Sequence, residues 1–192
     1  MFNLPTQKEY LIGPIVLSLV AVLIAVFDFN DLLAYHREYI SQGQYWRILS
    51  GHLTHSNINH LLLNAAGIWL IWALYGEYVK SQEYAIIIAL SALYISGGMY
   101  IFTPSSEVYY GLSGVLHSVI VVCALKDISQ GRKTGVLILV GVGLKIAYEQ
   151  FFGADPAIAK LIDARVSTES HLFGVVSGLF VYAKLYLGKQ VT

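Results

Sequence analysis

Ser113 sits between two glycines in Gly111-Leu112-Ser113-Gly114-Val115-Leu116-His117, at the start of an apolar stretch. Glycines beside a serine let a peptide backbone come close, and the hydroxyl becomes an acyl-transfer nucleophile once a base removes its proton. Two histidines are spaced to be that base. His117 follows one helical turn later on the same face, and His171 opens a second apolar stretch in Ser170-His171-Leu172-Phe173-Gly174. Helical side chains lean toward the amino terminus, so His117 can reach back to Ser113, whereas a residue on a partner helix has the better line for proton transfer. A further polar group, His52, His55, His60 and Asn64, surrounds the start of another apolar stretch. His60 and Asn64 are four apart, hence on one helix face, and each can offer an N–H to an oxyanion. His52 reads as an interfacial residue, and interhelical hydrogen bonding is the competing role for His55.

These groups are carried by a chain with the composition of a membrane protein. Of 192 residues, 56% are hydrophobic and 12% charged, with a mean hydropathy of +0.62, against about 25% charged in soluble domains. Twelve Lys and Arg balance twelve Asp and Glu without forming stripes, which argues against nucleic acid as a partner. Cys123, the single cysteine, excludes an intrachain disulfide and reads as a small buried hydrophobe. Six apolar stretches, 11–27, 58–75, 84–102, 112–125, 134–152 and 170–187, predict an all-α integral membrane fold of six transmembrane helices in one domain over 1–192. The first lacks a small-residue cleavage site and is followed by more spans, so it reads as retained rather than as a signal peptide. The long connection 30–57, with Tyr35, Tyr39, Tyr45 and Trp46, suits an element lying in the interface.

The fourth stretch decides the depth of the serine. Its fourteen residues make about 21 Å of helix, short of a hydrocarbon core of roughly 30 Å. With Lys126 and Asp127 as its inner end, the helix starts inside the membrane, and the segment 104–110 dips in to meet Ser113. Irregular backbone at that depth needs surrounding protein or a water-filled cavity, so a hydrated pocket is expected, with a helix amino terminus beside the hydroxyl. Gly114 and Ser118 on the fourth stretch, and Ser170, Gly174 and Gly178 on the sixth, are small residues at four-residue spacing. Such spacing lets two helices close up, which favours His171 over His117 as the base. Lys8, Lys80, Lys126, Arg132, Lys133, Lys184 and Lys189 fall on the side of both termini, against Arg37, Arg47, Lys160 and Arg165 opposite. That asymmetry predicts a cytoplasmic amino terminus and a site opening to the external face. Lys145 and Glu149, four apart in the fifth stretch, read as neutralising each other, on a helix that could gate lateral substrate access. Gly97-Gly98 reads as a close-packing or bending point, and Trp69 with Trp72 as contacts to lipid or to neighbouring helices.

On these residues the chain resembles the rhomboid intramembrane serine proteases, over the whole six-helix core. The resemblance implies a rhomboid-like bundle with Ser113 of Gly-x-Ser-Gly as nucleophile and His171, before a glycine region of the sixth helix, as base. It implies an oxyanion and substrate site made by His60 and Asn64 of a His-x-x-x-Asn pair with the backbone of Gly111, Leu112, Ser113 and Gly114. Trp46-Arg47 and Glu77 are similar to further family positions. Where well-known rhomboids often carry tyrosine packed on the base, this chain has His117, which resembles the rhombosortase branch. Membership there would imply a bacterial cytoplasmic-membrane enzyme that trims membrane-anchored proteins near a carboxy-terminal tail of Gly-Gly motif, apolar helix and basic residues. His117 would stack on His171, tune it or compete with it.

The expected chemistry is a Ser113–His171 dyad with no metal and no organic cofactor. No carboxylate is expected at His171, since Glu169 points elsewhere on its helix, and the absence of His-Glu-x-x-His argues against a membrane zinc protease. The competing readings are a general rhomboid protease of other single-span clients, an inactive client-binding relative, and a non-enzymatic histidine-lined transporter or metal-handling channel.

Overall fold

A computed structural model describes the protein over residues 4–187, so Lys189 lies outside the described residues. Six helices of seventeen residues or more occur among them. They are α1 (Lys8–Val26), α2 (Ile58–Tyr75), α3 (Ser81–Phe102), α4 (Ser113–Ser129), α5 (Thr134–Phe152) and α6 (Thr168–Tyr186). Four of them, α1, α2 with the turn that follows it, α3 and α5, are long and apolar enough to cross a membrane. The protein is an all-α membrane fold.

α2 and α5 coincide with the stretches read from the sequence, while α1 and α3 start a turn earlier because Lys8-Glu9 and Ser81-Gln82-Glu83 are polar residues that a first turn accommodates. The fourth helix needs a larger correction. It continues past Leu125 to Ser129, and Asp127 is not a solvent-side marker but is only 1% exposed. Its carboxylate accepts the Tyr78 hydroxyl at 2.6 Å, the Gly135 N–H at 2.6 Å and the Thr134 hydroxyl. One buried acceptor thereby ties the end of α4 to the start of α5 and satisfies the Gly135 N–H, which α5 cannot satisfy itself. At seventeen residues α4 is about 26 Å long and still the shortest of the six.

α4 is the central pin. Val115, Val119, Val121, Val122, Cys123 and Ala124 are all buried, whereas the outward faces of α1, α3, α5 and α6 expose Val26, Ile101, Phe102, Leu137, Phe151 and Phe180. So much exposed apolar surface is a liability in water and a match for hydrocarbon. At one end of the bundle the connection between α1 and α2 folds into short turns and a two-residue strand, β1 (Tyr35–His36). β1 pairs antiparallel with β2 (Val108–Tyr109), Tyr35 facing Tyr109. Arg47, 4% exposed, binds the Asp31 and Ala34 carbonyls at 2.9 and 2.7 Å and Gln44 Oε1 at 2.7 Å, while Trp46 donates to the Leu32 carbonyl. These bonds satisfy carbonyl groups of that irregular backbone.

Candidate active site

The chain enters α4 through Gly111, whose φ of +112° and whose missing side chain are both required: a Cβ there would lie 2.5 Å from His60 Nε2. Leu112, fully buried, is the residue before the helix and provides no side-chain cap. α2 and α6 differ, being capped by the side chains of Asn57 and Ser167. The first-turn N–H groups of α4, Ser113 and Gly114 among them, are thus left without a capping side chain beside the serine hydroxyl, where the helix dipole is positive. The Tyr109 hydroxyl donates to the Gly111 carbonyl, and burial pushes its pKa up to about 12, so it stays a neutral donor.

Glycine brings α6 against α4. A Cβ on Gly174 would fall on the Gly114 carbonyl oxygen, one on Gly114 would lie 2.9 Å from the Ser170 carbonyl, and one on Gly178 would lie 2.8 Å from that of Ser118. This close approach places His171 Nε2 2.9 Å from Ser113 Oγ. His117 takes another position. Its Nδ1 donates to the Ser113 carbonyl at 2.7 Å, and its ring stacks on His171 with centroids 4.4 Å apart and planes 24° apart.

A carboxylate also reaches His171, contrary to the expectation of none. Glu149 Oε2 lies 2.8 Å from His171 Nδ1, and Glu149 Oε1 accepts from Lys145 Nζ at 2.7 Å. Lys145 Nζ is itself 3.4 Å from His171 Nδ1. Glu169, the acidic neighbour in sequence, is paired with Arg165 instead. The sequence held a signal for Glu149, an acidic residue inside an apolar stretch, which ordinarily faces the bundle interior. Its spacing to Lys145 offered a local explanation that hid the contact with another helix. Glu77, matched on resemblance, pairs with Arg132 at the far end of the bundle.

His60 and Asn64 are buried on α2 facing Gly111. The Ser56 hydroxyl donates to the Ile162 carbonyl at 2.6 Å, so its oxygen accepts from His60 Nδ1, 3.0 Å away. Neutral His60 then carries its proton on Nδ1 and turns a bare Nε2 toward Gly111. Asn64 Nδ2, by contrast, is a buried donor with no hydrogen-bond partner among the described residues. His52 is not interfacial: it is 1% exposed and 2.9 Å from Ser96, whose own proton goes to the Ile48 carbonyl. His55 stands edge-on to His60, with ring centroids 5.2 Å apart. Burial lowers the pKa of His52 to about 4 and, with repulsion from His60, that of His55 to about 3. Among the described residues no three His, Cys, Asp or Glu side chains gather as metal ligands do. A cavity of about 110 Å³ beside His60, lined also by Ser106, Tyr109, Arg165 and Ser167, has a mixed polar wall and room for a few waters.

Residues 42–188 match the model of the Rhomboid domain. The chain is 20% identical over 188 residues to the rhomboid-protease relative YdcA of Bacillus subtilis, covering 91% of this chain and 88% of that one. It is 23% identical over 150 residues to the rhomboid protease GluP of Bacillus subtilis, covering 78% of this chain and 28% of that protein.

Proposed function

Because the chain belongs to the rhomboid domain family, an assignment its apolar helices support as an integral membrane protein, we propose that it is an intramembrane serine endopeptidase with Ser113 as nucleophile and His171 as general base. The observation that carries this reading is the 2.9 Å contact between Ser113 Oγ and His171 Nε2 at the uncapped start of α4. His171 takes the Ser113 proton as Oγ bonds to the scissile carbonyl carbon. Asn64 Nδ2 and the first-turn N–H groups of α4, from Ser113 and Gly114, donate to the oxyanion, and His60 adds a donor only as imidazolium. The C–N bond breaks as His171 passes its proton to the leaving amine. Water then gives a proton to the same nitrogen as its oxygen bonds to the acyl carbon, and the C–Oγ bond breaks as His171 returns that proton to Ser113 Oγ.

In this reading the bundle is the six-helix transmembrane one, with the short α4 starting inside the bilayer, the amino terminus is cytoplasmic and the site opens to the external face, with clients that are membrane-anchored proteins. The stacking of His117 on His171 favours a narrower version, a rhombosortase in a bacterial cytoplasmic membrane that acts on clients with a carboxy-terminal Gly-Gly tail.

Fluorophosphonate labelling of the purified protein tests the chemistry. Wild type takes the label and Ser113→Ala does not; a label that survives in Ser113→Ala overturns Ser113 as nucleophile, and a wild type that takes no label returns weight to an inactive relative or a transporter. Incubation with single-span proteins bearing or lacking a Gly-Gly tail tests the narrower version, which falls when only the untailed clients are cut.

A further inference from the structure

We infer that Glu149 is a positioning residue that makes the Ser113–His171 pair a triad, holding the His171 proton on Nδ1 so that Nε2 meets the serine hydroxyl with its lone pair. The inference rests on the proteolytic reading of the same site. Glu149 divides its two oxygens: Oε1 receives Lys145 at 2.7 Å and Oε2 receives His171 Nδ1 at 2.8 Å. A pair between residues four apart on a helix surface needs no burial, yet Glu149 is 9% exposed while Lys145 keeps 45% of its side chain in the open. Burying a carboxylate is costly unless hydrogen bonds are made to it, and the second of those bonds here is the one from the imidazole. α5 is also the helix least embedded in the bundle, its buried residues being Gly135, Ile146 and Glu149. The acidic side chain is therefore one of the few points at which α5 is seated, and it is seated on the base.

Two arrangements of the ring compete. With the proton on Nδ1, Glu149 accepts it and Nε2 is free to take the serine proton. With the proton on Nε2, Lys145, 3.4 Å away, donates to Nδ1 and the ring has no lone pair for Ser113. The carboxylate contact is the shorter and joins a charged acceptor to a ring donor, so it selects the productive form. It also stabilises the imidazolium that forms as Ser113 attacks, the role an orienting carboxylate has in serine hydrolases generally.

The test separates the carboxylate from the ion pair, because Glu149→Gln and Lys145→Met both abolish the pair but only the first takes the anion from His171. The reaction read is phosphonylation by a fluorophosphonate in detergent: the Ser113 Oγ–P bond forms, the P–F bond breaks, fluoride leaves, and the serine proton goes to His171. Glu149→Gln is expected to lower the maximal labelling rate by about 10²–10⁴-fold with the half-saturating probe concentration unchanged. Lys145→Met keeps the rate within its order of magnitude, and Glu149→Asp recovers part of what Gln loses. Equal losses in Glu149→Gln and Lys145→Met overturn the inference, as does a full rate in Glu149→Gln. Proton NMR of the wild type adds a readout that needs no folded variant, a downfield His171 Nδ1–H resonance whose absence also overturns it. Labelling that persists in Ser113→Ala is a different failure, since it removes the nucleophile and with it anything for Glu149 to position.

Discussion

His117 gives its Nδ1 proton to the carbonyl of Ser113 at 2.7 Å and lays its ring on that of His171, with centroids 4.4 Å apart. A carbonyl only accepts, so the one N–H of the neutral His117 ring is occupied by backbone and its position against the second ring is fixed. Such a residue supports the His171 ring from the side. His117→Ala is expected to slow fluorophosphonate labelling by about tenfold or less, the scale of an aromatic contact, while His171→Ala abolishes it. Loss of labelling in His117→Ala alone would reverse the two roles.

Asn64 and His60 face the same glycine but differ in what they present. Asn64 Nδ2 has an N–H without a hydrogen-bond partner among the described residues, whereas the bond chain His60 to Ser56 to the Ile162 carbonyl leaves His60 Nε2 bare. Asn64→Ala should therefore cost about 10²–10³-fold in the maximal labelling rate, as loss of an oxyanion donor does, and His60→Ala less at neutral pH. Nitrogen-15 NMR of the imidazoles checks the premise directly. A proton on His60 Nε2 in the wild type would contradict it.

Much of this site was legible in the chain, and the reason lies in which contacts are local. Ser113, Gly114 and His117 share one turn, and the small residues of 114–118 and 170–178 carry their own geometric consequence, so the meeting of α4 and α6 follows from spacing. Glu149 is different. Its partner His171 is twenty-two residues away on another helix, and a lysine one turn before it supplied a sufficient local explanation. Asp127 misled for a related reason: a charge at the end of an apolar run looks like a solvent boundary, although three donors from α5 and from the turn after α2 had made it an interior cap. Pairing within one helix is visible in spacing, and pairing between helices is visible only as a polar residue in an apolar place.

Gly174 and Gly97 make a controlled pair. A Cβ on Gly174 meets the Gly114 carbonyl, which cannot move without moving α4, while one on Gly97 meets nothing within 4 Å. Gly174→Ala should destabilise the protein by about 1–3 kcal/mol through overpacking and slow labelling further, because separating α4 from α6 lengthens the Ser113–His171 contact. Gly97→Ala should stabilise by about 0.5–1 kcal/mol by restricting the unfolded helix backbone. Thermal melts in one detergent decide both, and a Gly174→Ala protein as stable as wild type would show that the two helices are not held by that contact.

Acid should loosen the fold through His55 and His52. Burial holds them neutral, at about 3 and about 4, below the ordinary histidine value of 6.5. Between 6.5 and those values the unfolded chain takes up protons that the folded protein does not, so the stability is complete above about pH 6.5 and declines as pH falls, by up to about 1.4 kcal/mol per unit for each ring. From about pH 7.5 to about pH 5 the wild type should lose about 2 kcal/mol for each histidine. His55 is the cleaner to test, since phenylalanine keeps its edge-on contact with His60. Melts of His55→Phe at the two pH values should show a smaller loss than wild type by that increment. An identical loss in the two proteins would mean that His55 meets water in the folded state and is not the buried ring that its position above His60 makes it.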